Sequence, residues 1–269
     1  MFEYFFEIML GLLGIIFLSI LAYKRKNLDL GGAVAAIVLG IVVLVGYGWP
    51  GLILMVVFFI FSIFSTHLRY DYKRNLGFAQ EKGGERGWRN TFANGGVAAA
   101  SAIAGFFISR DIFAATFLGA IATAMSDTLA TEIGLLSRYR PRLITNLRKK
   151  VGAGTSGGIS PLGEIIVVCG SLFIGILAFI FKFSTIPTFK LIFIALLGGI
   201  AGSHADSLLG ATIQSMNKCV ICGITTESSF HHNKPTKSFK GIKIIGNNAV
   251  NFISTFIGAL VGVVVLLII

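Results

Sequence analysis

Two aspartates lie in otherwise apolar segments and share one local pattern. Residues 119–129 read GAIATAMSDTL and residues 198–208 read GGIAGSHADSL, so Asp127 and Asp206 each follow a glycine by eight residues. Charge inside a membrane span is costly, and an ionisable residue there indicates a functional site. Mg²⁺ commonly binds through one or two carboxylates together with substrate phosphates. We therefore expect Asp127 and Asp206 to act at a magnesium–phosphate site, and we interpret the shared pattern as an internal repeat.

Asparagines are paired at helical spacing near the same region. Asn90 and Asn94 are four residues apart, as are Asn247 and Asn251, and Asn248 lies beside the second pair. Residues four apart share a helix face. One interpretation is helix capping or hydrogen bonding between helices. The other is that their amide oxygens contact the metal, or the phosphates and their waters, beside the aspartates.

Two glutamates add to the carboxylates at the edge of the spans. Glu132 and Glu164 both lie in apolar segments, closer to the segment ends than the aspartates. Asp127 and Glu132 are five residues apart, which is about 140° around a helix, so they cannot chelate one ion together. We expect Glu132 either to serve a neighbouring catalytic site or to make a helix contact.

A glycine-rich segment, residues 152–163, follows three cations. It reads GAGTSGGISPLG after Arg148, Lys149 and Lys150. Its match to GxGxxG indicates nothing, because we expect neither a preceding strand nor a βαβ unit. Glycines nevertheless let backbone N–H groups approach an oxyanion, and the N-terminus of a following helix attracts one. We predict phosphate binding here, with a flexible linker as the alternative. The predicted contacts are Arg148, Thr155, Ser156, Gly157, Gly158 and Ser160, with Lys149 and Lys150 as catalytic cations.

A second polar segment contains Cys219 and Cys222, followed by two adjacent histidines that end at His232. Two cysteines and a later histidine suggest a Zn²⁺ site, although adjacent histidines are poorly spaced for separate ligands. We expect these cysteines to be reduced in a cytoplasmic loop.

The elements that must position these residues are membrane spans. The chain has 269 residues, 55% of them hydrophobic and 13% charged, with a mean hydropathy of +0.83. This composition excludes an ordinary soluble enzyme, a disulfide-rich secreted domain and a disordered chain. We predict an all-α polytopic membrane protein that forms a single transmembrane domain over residues 1–269. The eight predicted spans are residues 3–23, 31–48, 50–66, 91–108, 112–134, 162–181, 190–213 and 245–269. The second and third are joined by Gly48-Trp49-Pro50-Gly51, either as two spans with a tight turn or as one hairpin that does not fully cross the membrane.

The distribution of charge predicts an orientation. The loops near residues 24–30, 67–90, 135–160 and 214–243 hold 20 of the 23 Lys and Arg residues. Positively charged loops stay in the cytoplasm. We therefore expect a multi-pass protein of the cell membrane with these loops in the cytoplasm and both termini outside. Asp127 and Asp206 then lie about 10 Å from the cytoplasmic ends of their spans, which favours a site open to the cytosol over a transporter site at the midplane.

Four motifs in this order resemble a known family. They are SDTLATEIG (126–134), GTSGGIS (154–160), GSHADSLLGA (202–211) and NNAVN (247–251). Over about residues 25–265, the chain resembles the polytopic membrane family that contains plant phytyl-phosphate kinase and the transmembrane-protein-19-like proteins. The residues carried over by this resemblance are Asp127, Glu132, Thr155, Gly157, Gly158, Asp206, Asn247, Asn248 and Asn251.

The resemblance implies a kinase that converts a prenyl monophosphate, such as phytyl or geranylgeranyl phosphate, to its diphosphate. It implies CTP or another nucleoside triphosphate as donor, Mg²⁺ as cofactor and the lipid bilayer as surroundings. No nucleic acid partner is expected, and a homo-oligomer is left open. A cytidylyltransferase that makes a CDP-linked lipid, and a transporter for prenyl phosphate or another anion, are the alternatives.

Overall fold

The computed structural model describes residues 2–75, 81–223, 225–226, 230–231 and 234–269. Over these ranges the chain is mostly helical, which confirms the predicted all-α membrane fold. The α-helices are α1 (Phe2–Lys24), α2 (Leu30–His67), α3 (Tyr70–Asn75), α4 (Trp88–Phe107), α5 (Arg110–Gly134), α6 (Pro161–Ile180), α7 (Thr188–Thr212) and α8 (Asn247–Ile268).

The chain reverses direction within α2. Gly48 has φ 65° and ψ −157°, a non-helical conformation that suits glycine, and Pro50 follows it at the start of a second arm. Both ends of α2 meet Arg86: the backbone N–H of Asp29 donates to the Arg86 carbonyl at 3.1 Å, and the Arg86 guanidinium donates to Thr66 Oγ1 at 3.1 Å. A straight helix of 38 residues would hold its ends about 57 Å apart. α2 is therefore a hairpin of two antiparallel arms.

The turn of this hairpin reaches the far end of the bundle. Tyr47, just before the turn, packs its ring 4.9 Å from the ring of Phe183, which lies in the connection between α6 and α7. Its hydroxyl donates to the carbonyl of Ser101, in the second half of α4, at 3.4 Å. The arms therefore run the length of the bundle, as the two-span interpretation requires.

The centre of the bundle is α5. In its apolar stretch 72% of the residues are buried, against 22% to 44% for the other five described helices that are long and apolar enough to cross a membrane, namely α1, α2, α6, α7 and α8. α4 is less apolar because Arg89, Asn90 and Asn94 occupy its first two turns. It nevertheless packs against α2, α5 and α8.

Three glycines bring α5, α7 and α8 into backbone contact. A Cβ added at Gly198 of α7 would lie 2.8 Å from the carbonyl oxygen of Gly258 in α8 and 2.9 Å from the Cα of Gly119 in α5. Small residues permit this close approach of membrane helices. Gly119 and Gly198 are the glycines of the two aspartate segments, so the two segments cross at corresponding positions. The internal repeat itself stays a prediction.

Short strands connect the helices at one end of the bundle, called here the basic end because it carries residues 24–30, 67–75, 81–90 and 135–160 and the described part of residues 214–243. One antiparallel sheet has the order β2-β1-β3 and a second has the order β5-β4-β8, with β6-β7 as a separate pair. The strands are β1 (Arg142–Leu143), β2 (Asn146–Lys150), β3 (Gly158–Ile159), β4 (Met216–Lys218), β5 (Thr225–Thr226), β6 (Phe230–His231), β7 (Lys234–Pro235) and β8 (Lys237–Lys240).

We predict that Gly198→Ala destabilises the protein by about 1–3 kcal/mol, because the added methyl group meets backbone atoms on two helices that cannot move aside independently. Denaturant titration of the purified protein in detergent measures the change in the free energy of unfolding. Gly14→Ala in α1 is the matched control, since no atom lies within 4 Å of a Cβ added there. Equal stability of the two variants would contradict the glycine contact.

Candidate functional site

The two aspartates lie at the same depth on neighbouring helices. α5 and α7 both run towards the basic end, and Asp127 and Asp206 each follow the crossing glycines by eight residues, about 12 Å of helix. Ser203 Oγ donates to Asp127 Oδ1 at 3.4 Å, and Ser254 Oγ of α8 donates to Asp206 Oδ2 at 3.2 Å. Both aspartates are half-buried. The carboxylates are thus held in place by hydroxyl groups and remain partly accessible.

Four asparagines connect α4 with α8 near Asp206. Asn251 Nδ2 donates to Asn94 Oδ1 at 3.4 Å, and Asn90 Nδ2 donates to Asn248 Oδ1 at 3.5 Å. Ser254, which holds Asp206, also donates to the backbone carbonyl of Asn251 at 2.9 Å. Hydrogen bonding between helices is one of the two interpretations of the asparagines, and these bonds are of that kind. They also bring amide groups next to Asp206.

Gln214 links this cluster to the glycine-rich segment. Its Nε2 donates to Asn247 Oδ1 at 3.4 Å, and its Oε1 accepts from Ser156 Oγ at 2.7 Å. Lys240 also stabilises this region, because its Nζ donates to the carbonyl of Gly210 in the last turn of α7 at 3.0 Å. Burial lowers the pKa of Lys240. The end of α7, the start of α8 and the glycine-rich segment therefore form one connected structure.

Two glycines of this segment are required by backbone conformation, and one of them also by close packing. Gly154 and Gly157 have φ of 73° and 80°, in the left-handed region, and Gly157 also lies directly against Ala211 of α7. The backbone N–H groups of Thr155 and Gly158 donate to the carbonyls of Gly152 and Thr155, at 3.2 and 2.8 Å. Two of the amides that could bind an oxyanion are thus used within the segment.

One expectation about this segment is wrong, because β2 does precede it. β2 is the outer strand of a small antiparallel sheet and is exposed along its whole length, so the setting is still not a βαβ unit. Arg148, Lys149 and Lys150 all lie on this strand. They face solvent at the basic end. Ser160 instead caps α6, accepting from the N–H of Gly163 at 3.1 Å.

Glu132 belongs to a buried charge cluster on the other side of α5. Its Oε2 lies 2.5 Å from Lys73 Nζ, and both side chains are at most 3% exposed. Lys73 also donates to the carbonyls of Ser65 and Thr66, at 2.7 and 3.0 Å. Burial lowers the pKa of the nearby Arg86 below its ordinary value, and the negative charge of Glu132 offsets part of this shift. Glu132 therefore makes the helix contact that the sequence leaves as an alternative, joining α5 to the α2 hairpin and α3.

Several residues of the site were not predicted from the sequence. Ser203 and Ser254 orient the aspartates, and Ser254 could have been found because it lies three residues after Asn251 on the same helix face. Glu164 forms an ion pair with His204, with Nε2 and Oε2 3.0 Å apart. His204 is an ionisable residue inside a span, so the rule that singles out the aspartates applies to it as well.

Of the three residues predicted to bind Zn²⁺, the structure describes Cys219 and Cys222. Cys219 is buried and Cys222 is exposed, and neither forms a disulfide. His232 lies outside the described residues. Within the described part of the chain, no three His, Cys, Asp or Glu side chains form a group that could hold a metal. The Zn²⁺ site stays a prediction.

Comparison with known proteins decides the family. The model of a family described as integral membrane protein DUF92 matches residues 13–259. The chain belongs to this family. The family that the four motifs predict is thereby confirmed, and so is a multi-pass membrane protein. No solved structure matches the chain.

Curated relatives match over most of this chain. Protein PGR of Arabidopsis thaliana is 31% identical over 256 residues, 87% of each chain. An uncharacterized membrane protein of Methanocaldococcus jannaschii is 29% identical over 98% of this chain and 96% of its own. Protein VTE6, chloroplastic, of Arabidopsis thaliana is 23% identical over 88% of this chain and 65% of its own. The similarity therefore extends over the whole bundle.

We predict that Lys73→Met costs about 3–5 kcal/mol of stability, because it leaves Glu132 as an uncompensated buried charge. The double variant Lys73→Met with Glu132→Leu should recover much of this loss, since the unpaired carboxylate is removed while Arg86 keeps its hydrogen bond to Thr66. Denaturant titration of the purified variants gives both values. Lys149→Met, on exposed β2, is the control and should change stability by less than about 0.5 kcal/mol. If the double variant were less stable than Lys73→Met alone, the ion pair would not explain the cluster.

Proposed function

We propose that this protein is a membrane-embedded prenyl-phosphate kinase. It transfers the γ-phosphoryl group of a nucleoside triphosphate, with CTP favoured, to a prenyl monophosphate such as phytyl or geranylgeranyl phosphate. The observation that carries the proposal is the pair Asp127 and Asp206, held at one depth near the basic end beside an asparagine cluster. The motif resemblance to the family that contains plant phytyl-phosphate kinase supports the choice of substrate.

The residues present suit a magnesium–nucleotide complex. Asp127 and Asp206 are half-buried carboxylates. Ser254 bonds both to Asp206 and to the backbone carbonyl of Asn251, whose side chain bonds to Asn94. Such a set contains oxygen ligands of the kind that Mg²⁺ uses when phosphates and waters complete its shell. Mg²⁺ held there would neutralise charge on the nucleotide phosphates. The cations of β2 would attract the nucleotide to the basic end.

The reaction needs no strong general base. An oxygen of the acceptor phosphate forms a bond to the γ-phosphorus, the bond between that phosphorus and the β,γ-bridging oxygen breaks, and the nucleoside diphosphate leaves. Because the acceptor already carries negative charge, positioning and electrostatic stabilisation supply most of the acceleration. We also propose that the basic end faces the cytoplasm, where nucleotide is available.

We predict that Asp127→Asn and Asp206→Asn each lower turnover at least about 100-fold, because each removes a charge that binds the metal. The assay combines purified protein, geranylgeranyl monophosphate, Mg²⁺ and each nucleoside triphosphate in turn, and measures prenyl diphosphate. Asp111→Asn, at the opposite end of α5, is the control and should keep full activity. Thermal unfolding of all three variants should match the wild type, since asparagine preserves the size of the side chain.

The same assay and a liposome experiment distinguish the kinase from a cytidylyltransferase and from a transporter. Absence of diphosphate with every nucleotide would overturn the kinase proposal. Release of pyrophosphate together with a CDP-linked lipid would identify a cytidylyltransferase. Counterflow of prenyl phosphate in liposomes without nucleotide consumption would identify a transporter.

A further inference from the structure

A long groove lies on the bundle surface between α4 and α8 and reaches the first turns of α5. Its volume is about 900 Å³, within the range of small-molecule sites. A second cavity, between α1, the α2 hairpin and α4, measures about 90 Å³. Only the larger of these two could take a whole lipid chain.

The groove is polar at one end and mostly apolar along the rest, where the hydroxyl residues Ser101 and Thr116 also line it. At the basic end its lining includes Arg89, Lys243, Asn247 and Asn248, and of the described residues that line it none is acidic. Arg89 and Lys243 are exposed. The apolar part is formed by small and aromatic residues, namely Phe92, Ala93, Gly96, Val97, Ala100, Ala104, Phe113, Phe252 and Phe256. This arrangement fits an amphiphile with an anionic head and a single hydrocarbon chain.

The groove also has the right length. Arg89 and Ala104 both line it, and 15 residues of helix separate them, about 22 Å. An extended chain advances about 1.1–1.2 Å for each main-chain bond, so about 22 Å corresponds to roughly 18–20 bonds, including those of the head group. A diterpenoid chain has about this length. The exposed rings of Phe252 and Phe256, each 48% exposed, leave the groove open along its side, where a chain can enter from the bilayer.

The head-group end adjoins the aspartate site. Asn248 lines the groove and bonds to Asn90, and one helical turn deeper Asn251 bonds to Asn94 and accepts from Ser254, the partner of Asp206. A series of hydrogen bonds between residues of α4 and α8 therefore runs from the polar end of the groove to Asp206.

We infer that this groove, which we call the α4–α8 groove, binds the lipid acceptor: a monophosphate on a single diterpenoid-length chain, with its phosphate between Arg89, Lys243 and the N-terminus of α8. The inference rests on the proposed function for the link to phosphoryl transfer. Binding itself is measurable without nucleotide.

The experiment follows the fluorescence of Trp88, because this residue lines the α4–α8 groove. The other tryptophan, Trp49 at the far turn, is replaced by phenylalanine so that Trp88 alone gives the signal. Geranylgeranyl monophosphate is titrated into purified protein without nucleotide. Ala100→Phe, which fills the middle of the groove, should raise Kd at least about tenfold. Ile103→Phe is the matched control, since Ile103 is on the same helix and 52% exposed but does not line the groove. It should leave Kd unchanged.

Head group and chain are tested separately. Dimethylallyl monophosphate should bind Ala100→Phe and wild type equally, because its chain does not reach Ala100, about 16 Å from Arg89 along α4. Lys243→Gln should weaken binding of the lipid phosphate more than binding of geranylgeraniol. Inorganic phosphate should not compete at the same concentration.

The outcomes distinguish this inference from the kinase proposal. If wild type forms diphosphate but Ala100→Phe and Ile103→Phe have equal Kd, the groove inference fails and the kinase stands. If wild type binds the lipid phosphate and Ala100→Phe does not, yet no nucleotide yields product, the kinase fails and the groove remains a lipid-phosphate site. A two-chain phosphatidate that binds as tightly as the diterpenoid phosphate would overturn the choice of ligand.

Discussion

The close approach of α5, α7 and α8 is the constraint on which the rest of the structure depends. Gly119, Gly198 and Gly258 leave so little space between these helices that backbone atoms of one lie where a side chain of another would begin. This contact fixes the register of α5 against α7. Because each aspartate follows its glycine by the same number of residues, the register also places Asp127 and Asp206 at one depth. The position of the charges is therefore a consequence of backbone packing in the apolar centre.

Polar groups near the basic end then satisfy one another across the helices. Serines hold the two aspartates, asparagines join α4 to α8, and Gln214 ties the start of α8 to Ser156. Lys73 and Glu132 make a separate, fully buried pair that attaches the α2 hairpin to α5. The bundle thus has an apolar half held by small residues and a polar half held by hydrogen bonds. The half-buried carboxylates of Asp127 and Asp206 belong to the polar half.

The sequence predicts the spans, the turn at Gly48 and the family, because hydropathy, basic loops and ordered motifs act over long stretches of chain. It also identifies the spaced aspartates and asparagines. It does not assign Glu132, since the spacing along α5 shows that Glu132 faces away from Asp127 but not that Lys73 meets it there. Lys73 counts in the sequence as one basic residue of a loop, and its burial depends on a tertiary contact. The strand β2 was missed because four of its five residues are polar, all five are exposed, and they show no alternation of buried and exposed positions.

The dependence of α4 on α8 sets an order for assembly in the membrane. Chains are made from the N-terminus, and early segments fold before later ones emerge. α4 carries Asn90 and Asn94 at its polar end, and their side-chain partners Asn248 and Asn251 belong to α8, the final helix of the described chain. During synthesis these amides must rely on water or head groups until α8 inserts. The wall of the α4–α8 groove and the hydroxyl group that holds Asp206 are therefore both absent until α8 inserts.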